Sequence, residues 1–168
     1  VGFNRQDNER QTNNAPFGAI GLGKMINPNW SLDVELNYQN PNFEDNQDLN
    51  WSQYGISFDA RRHFIAEGRN WNPYLLMGLG YQREEAEYDN FPNPNSPVND
   101  EFGGIAGKLG VGLQGDLGRV GLRTELAYRA SFDDSSVAAP DEDWFGDLLA
   151  SVGIVIPLGP EPVAPVAP

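Results

Sequence analysis

The decapeptide WSLDVELNYQ, from Trp30 to Gln39, alternates apolar and polar residues without a fault. Trp30, Leu32, Val34, Leu36 and Tyr38 share one parity, and Ser31, Asp33, Glu35, Asn37 and Gln39 share the other. Period-2 alternation of this length describes a β-strand with one apolar face and one charged face. Two architectures use such a strand in opposite senses. In a soluble sandwich or lipocalin-like barrel the apolar face points inward; in a transmembrane barrel it points into lipid and the carboxylates are enclosed.

The same test along the chain predicts a partial strand at 1–4 and strands near 16–26, 30–39, 51–65, 71–85, 102–117, 120–131 and 144–158, eight in all. The first, Val1-Gly2-Phe3-Asn4, begins in mid-pattern, as expected if a processed segment preceded it. The connections alternate in length: long at 5–15, tight at Asn27-Pro28-Asn29, long at 40–50, short at 66–70, long at 86–101, tight at Gly118-Arg119 and long at 132–143. An up-and-down meander with this alternation gathers the long loops at one end, and the short turns with both termini at the other. A soluble meander has no reason to sort its loops so, whereas outer-membrane barrels combine short periplasmic turns with longer extracellular loops. The long loops, such as DNFPNPNSPVNDE (89–101) and DDSSVAAPDED (133–143), are polar and rich in turn formers. After 159 the pattern stops, and PEPVAPVAP (160–168) reads as an extended, polyproline-like spacer. The expected organisation is one barrel over 1–159 and the start of a Pro/Ala/Val-rich linker at 160–168.

Composition removes several function classes. With 19 Gly and 13 Pro among 168 residues and few runs at helical spacing, the chain is expected to be all-β and a single domain. A net charge of −13 with only 11 Lys and Arg argues against nucleic-acid partners, since phosphate neutralisation requires clustered cations. No cysteine and a single histidine leave no disulfide framework and little material for a zinc or copper site, so no metal or other cofactor is expected. No apolar window reaches the roughly 18 residues of a membrane helix. The mean hydropathy of −0.50 does not bear on a barrel, whose strands make only every second residue apolar.

The polar parity decides which face is inside. It carries Gly55, Gly78, Gly80, Gly110, Gly112, Gly121 and Gly153, with Ser57 and Ser151. Glycine weakens a strand and gains nothing by facing water, but it makes room where side chains converge in a narrow lumen. The opposite parity carries a band of Leu, Val, Ile, Met and Phe, among them Leu32, Val34, Leu36, Ile56, Phe58, Leu75, Met77, Leu79, Leu109 and Val111. At or near the strand ends stand Trp30, Tyr38, Trp51, Phe64, Trp71, Tyr81, Tyr128 and Trp144, the expected aromatic girdles of a membrane barrel. The charged face is therefore expected inside and the apolar face against lipid.

On that assignment the lumen collects Asp33, Glu35, Asp59, Arg61, Lys108, Gln114, Arg123 and Glu125, with Arg129 nearer the loop end. Enclosed charges of both signs must pair, because an unpaired buried ion costs several kcal/mol or more. Such a network either packs the lumen and fixes strand register or serves as a constriction for small ions. His63 falls on the inward parity at the short-turn end, but a lone histidine, with none in the outer loops, does not make a catalytic site; no enzymatic activity is expected. The acidic loop clusters Glu44-Asp45, Asp133-Asp134 and Asp141-Glu142-Asp143 lack the spacing of a calcium loop and read as solvated surface. The sequons Asn29 to Ser31 and Asn50 to Ser52 read as coincidence at strand starts.

Three stretches resemble the N-terminal barrel of the OmpA/OprF family of bacterial outer-membrane proteins: GLGKMINPNWSLDVELNY (21–38), GLRTELAY (121–128) and SVGIVIPLGPEPVAPVAP (151–168). The resemblance implies an eight-stranded antiparallel up-and-down transmembrane β-barrel in the outer membrane, with a cluster of two acidic and two basic lumen positions that gates a small pore. Glu35, Arg61 and Arg123 match three of these positions; the fourth falls on Gln114, which removes one charge, and Glu125 or Asp59 would have to stand in for it. It also implies a linker leading to a peptidoglycan-binding domain. The expected function is a structural barrel anchoring an envelope-to-peptidoglycan tether, the alternative a small nonspecific diffusion channel. Its expected partners are outer-membrane lipid and lipopolysaccharide, peptidoglycan through the further domain, and phage or host surfaces through the loops.

Overall fold

A computed structural model describes residues 1–7, 13–40, 49–88, 100–132 and 144–159, without the side chains of 49–51, 86–88 and 100–102. Eight strands follow one another: β1 (Gly2–Arg5), β2 (Ala15–Asn27), β3 (Trp30–Gln39), β4 (Leu49–His63), β5 (Trp71–Tyr88), β6 (Asp100–Leu117), β7 (Val120–Phe132) and β8 (Trp144–Val155). Each pairs antiparallel with its neighbours in sequence, and β1 pairs with β8 to close the ring. The protein is thus an all-β, eight-stranded up-and-down barrel.

The elements match the alternation, with shifted ends. Ladder pairing continues past the alternating segments on the long-loop side, through Leu49↔Tyr88 and Ala86↔Asp100, so β4 and β6 start two residues early and β5 ends three late. Backbone pairing needs no alternation, and the connection expected at 86–101 shortens accordingly. At the other end β8 stops at Val155 rather than 158, because Gly121 near the start of β7 is its last partner and Pro157 has no N–H to offer a ladder.

The tight turns sit where the sequence punctuates them. Gly68 and Gly118 adopt φ of 73° and 77°, the left-handed region that glycine enters without a Cβ clash. Between β2 and β3 the Asn29 amide donates to Asn27 Oδ1 at 2.9 Å, closing the turn around Pro28. The acidic loop clusters and the 160–168 tail lie outside the described residues.

The sheet is polar within and apolar without. Arg61, Asp59, Asp147, Gln53 and Asn4 are fully buried, while Leu32, Leu36, Phe58, Leu79, Leu109 and Ile154 are exposed, Leu79 by 68%. An apolar belt around the whole wall far exceeds the few hundred Å² that water-soluble monomers leave exposed, and it suits a lipid environment. A small apolar patch of Tyr74, Leu76, Ala127 and Leu149, with Phe17 against it, completes the interior.

Three of the inward glycines lie under larger side chains. A Cβ on Gly78 would meet the Asp59 carboxyl, one on Gly55 the Gln82 amide, and one on Gly112 the Tyr74 ring. Gly153 corrects the expectation of crowding, since nothing lies within 4 Å of its Cβ position. It stands below the short β1, which pairs with β2 only at Ala15–Phe17 and leaves the lower parts of β2 and β8 facing each other without a strand between them.

Candidate functional site

The lumen is braced by charges from four strands. β3 supplies Asp33 and Glu35, β4 Asp59 and Arg61, β6 Lys108 and Gln114, and β7 Arg123 and Glu125; even spacing along each strand puts them on the inner face. The structure brings all eight together.

Arg61, 2% exposed, is the hub. Its Nη1 lies 2.9 Å from Asp33 Oδ2, and its Nη2 lies 3.1 Å from Glu125 Oε2, 3.5 Å from Asp59 Oδ2 and 4.0 Å from Glu35 Oε2. Nε also donates to Glu125 Oε2 at 3.1 Å. Lys108 Nζ forms the second centre, 2.7 Å from Asp59 Oδ2 and 3.0 Å from Glu35 Oε1. Asp59 is thus shared by two cations, which lets its carboxylate stay buried. Arg123 stands to one side, donating through Nε and Nη2 to Gln114 Oε1 at 3.0 and 2.9 Å, with Asp33 Oδ1 3.8 Å from its Nη1. Gln114, at the position where the resemblance implies a charge, is a neutral acceptor for Arg123. Counting Asp33, Glu35, Asp59 and Glu125 against Arg61, Lys108 and Arg123, carboxylates outnumber cations four to three.

Tyr74 was not anticipated. Its hydroxyl donates to Glu125 Oε2 at 2.9 Å, and both the Arg61 and Arg123 guanidiniums stand 5.9 Å from its ring centroid. Counting back by twos from Gly78 and Gly80 places Tyr74 on the inner face, so the signal was present in β5.

A second polar layer lies nearer the long loops. Arg129 Nη2 pairs with Asp147 Oδ2 at 2.7 Å and donates to Gln53 Oε1 at 3.2 Å. Gln53 Nε2 donates to Glu84 Oε1 at 2.7 Å, Gln39 donates to Gln53, and Asn4 Nδ2 donates to Gln39 Oε1 at 2.9 Å. This belt joins β1, β3, β4, β5, β7 and β8. A cavity of about 470 Å³ lies beside the charged cluster, lined also by Gly21 and Gly23 of β2 and by Ser151 and Gly153 of β8.

His63 is buried at the short-turn end, with Nε2 3.3 Å from Ser31 Oγ, while Ser31 Oγ donates to Asp33 Oδ2 at 3.0 Å. The carboxylate therefore holds the hydroxyl and not the ring. A hydrolytic triad needs the reverse order, with the carboxylate orienting the histidine and the histidine accepting the hydroxyl proton.

On the outer wall Trp30, Phe64 and Trp71 stand near the short turns, and Tyr38, Tyr81, Tyr128 and Trp144 toward the long loops, all but Trp30 well exposed. The Trp51 side chain lies outside the described residues.

A family model described as "Outer membrane protein beta-barrel domain" matches residues 1–154. Among solved structures, Neisserial surface protein A (NspA) is similar in fold, with a TM-score of 0.63 and 15% identity over 85% of this chain and 83% of that one. Ail, the attachment invasion locus protein of Yersinia pestis, aligns at a TM-score of 0.49 and 14% identity over 91% of this chain and 93% of its own. No curated protein matches the chain in sequence.

Proposed function

Because the chain belongs to the outer membrane protein β-barrel family and resides in the bacterial outer membrane, we propose that it is a non-catalytic structural barrel. In this reading the barrel anchors an envelope tether to peptidoglycan through the chain that leaves β8, and displays its long loops at the cell surface. The observation that carries the reading is the braced lumen: Arg61 spans from β4 to Glu125 on β7, and Lys108 from β6 to Glu35 on β3. An eight-stranded lumen is just wide enough for side chains to fill, and a bore filled by mutually held charges favours an anchor over an open conduit. The tether itself is supported by the Pro/Ala/Val tail at 160–168, by the gathering of the short turns at the end from which it departs, and by the resemblance to the OmpA/OprF type.

The test is sedimentation of the full gene product with purified peptidoglycan sacculi, compared with a chain ended after Gly159. Retention of the full product alone supports the tether; equal loss of both sinks it.

A gated diffusion channel is the second reading, favoured by the 470 Å³ cavity beside the cluster and by the excess carboxylate. It requires resolvable conductance steps from purified protein in a planar bilayer, and a silent bilayer removes it.

A further inference from the structure

Alternation sends Arg62 to the opposite side of the wall from Arg61. Arg61 is buried in the lumen; Arg62 is exposed on the outer surface, close to the short-turn end of β4. Its guanidinium carbon lies 5.7 Å from the Trp30 ring centroid and 5.6 Å from that of Phe64. Trp30 is its register partner on β3, and Phe64 is the next outward residue along the chain. Among the described residues no carboxylate pairs with Arg62.

Apart from Lys24, the register partner of Leu32, the outer wall around this charge is apolar. Leu75 is its register partner on β5, and Leu32 and Phe58 are outward residues farther up β3 and β4, all exposed on the apolar belt. A full positive charge at the margin of hydrocarbon is tolerated where the long side chain reaches the phosphate layer. Both rings lie within cation–π reach of the guanidinium and restrict its orientation. What remains is a planar fork of N–H donors, a geometry that matches two oxygens of one phosphate.

We propose that Arg62, Trp30 and Phe64 form a docking site for the phosphodiester headgroup of a phospholipid in the periplasmic leaflet, whose acyl chains lie over Leu32 and Phe58. The apolar residues that rise from the fork distinguish a lipid from a free anion. The position beside the short turns assigns the leaflet.

Native mass spectrometry of the detergent-solubilised barrel, titrated with dioleoylphosphatidylglycerol, tests the site. Arg62→Gln is expected to lower the lipid-bound fraction about fivefold, the effect of one arginine near a lipid surface; Trp30→Leu lowers it less. Arg69→Gln, the same charge change in the β4–β5 turn, leaves binding unchanged. Dioleoylglycerol, which lacks the phosphate, should not bind, and millimolar inorganic phosphate should not displace the lipid. The proposal is overturned if Arg62→Gln binds as the parent does, if Arg69→Gln weakens binding equally, or if inorganic phosphate displaces the lipid. Each variant's fold is checked by the mobility difference between heated and unheated samples on gels. Arg62→Gln removes a charge from the lipid face and so should fold, and Phe64→Leu provides a second, uncharged probe expected to weaken binding.

Discussion

Arg61 and Glu125 meet across the lumen from β4 and β7, strands with two others between them, and the Oε2 atom of Glu125 accepts from Arg61 Nε, Arg61 Nη2 and Tyr74 Oη at 3.1, 3.1 and 2.9 Å. One oxygen with three donors ties opposite walls to a single point.

Removing the hub takes a cation from four carboxylates at once. Arg61→Gln is expected to destabilise the barrel by about 3–5 kcal/mol, the cost of breaking a buried pair from one side. Glu125→Gln keeps an amide oxygen for Tyr74 and costs less, about 1–3 kcal/mol. Urea unfolding in lipid vesicles, followed by tryptophan emission, orders the two; a larger loss for Glu125→Gln would refute the central role of Arg61.

Emptying the hub also alters passage. Arg61→Ala leaves Asp33, Glu35, Asp59 and Glu125 facing only Lys108 and Arg123, a net negative constriction. Planar-bilayer recordings should show conductance that the parent lacks, with a reversal potential favouring potassium over chloride. Chloride preference would contradict the charge count.

The outer wall is tested by a charge placed on it. Leu79 is exposed in the middle of the belt, in register with Phe58 and Gly107. On a water-soluble surface Leu79→Lys would be nearly neutral, but facing hydrocarbon it costs about 2–4 kcal/mol. Unfolding of the two proteins in phosphatidylcholine vesicles reads the difference directly.

Glycine positions separate packing from composition. A Cβ on Gly80 would press on the Ile56 carbonyl oxygen and the Ser57 backbone, whereas Gly18 has nothing within 4 Å. Gly80→Ala should cost about 1–3 kcal/mol, and Gly18→Ala should stay within about 0.5 kcal/mol. Unfolding midpoints in the same vesicles provide the comparison.

Much of the architecture was legible because alternation, turn chemistry and loop length are local properties. WSLDVELNYQ defines two faces, and the inward glycines mark which of them lines the lumen before any strand is paired. The membership of the charged cluster followed from parity alone. Its wiring did not. Which carboxylate meets which cation depends on how far the closed sheet staggers from strand to strand, and no single strand encodes that. Thus Glu35, which the resemblance groups with Arg61 and Arg123, lies closer to Lys108, and Arg61 takes Asp33 and Glu125 as its nearest partners. Tyr74 carries no charge and so did not stand out among the lumen residues, although its parity points inward.

The bracing contacts join residues far apart along the chain, Lys108 to Glu35 across 73 positions and Arg61 to Glu125 across 64. None of them can form from a single hairpin. While the sheet is still open, the charges of these two pairs stay apart, and they meet only when the sheet curls enough to bring β3 opposite β6 and β4 opposite β7. Loop closure of this span is slow to be rewarded in folding. The cluster therefore acts as a late latch on insertion, so that a barrel stalled half-curled keeps a hydrated, charged inner face and does not settle into lipid as a stable, incomplete sheet.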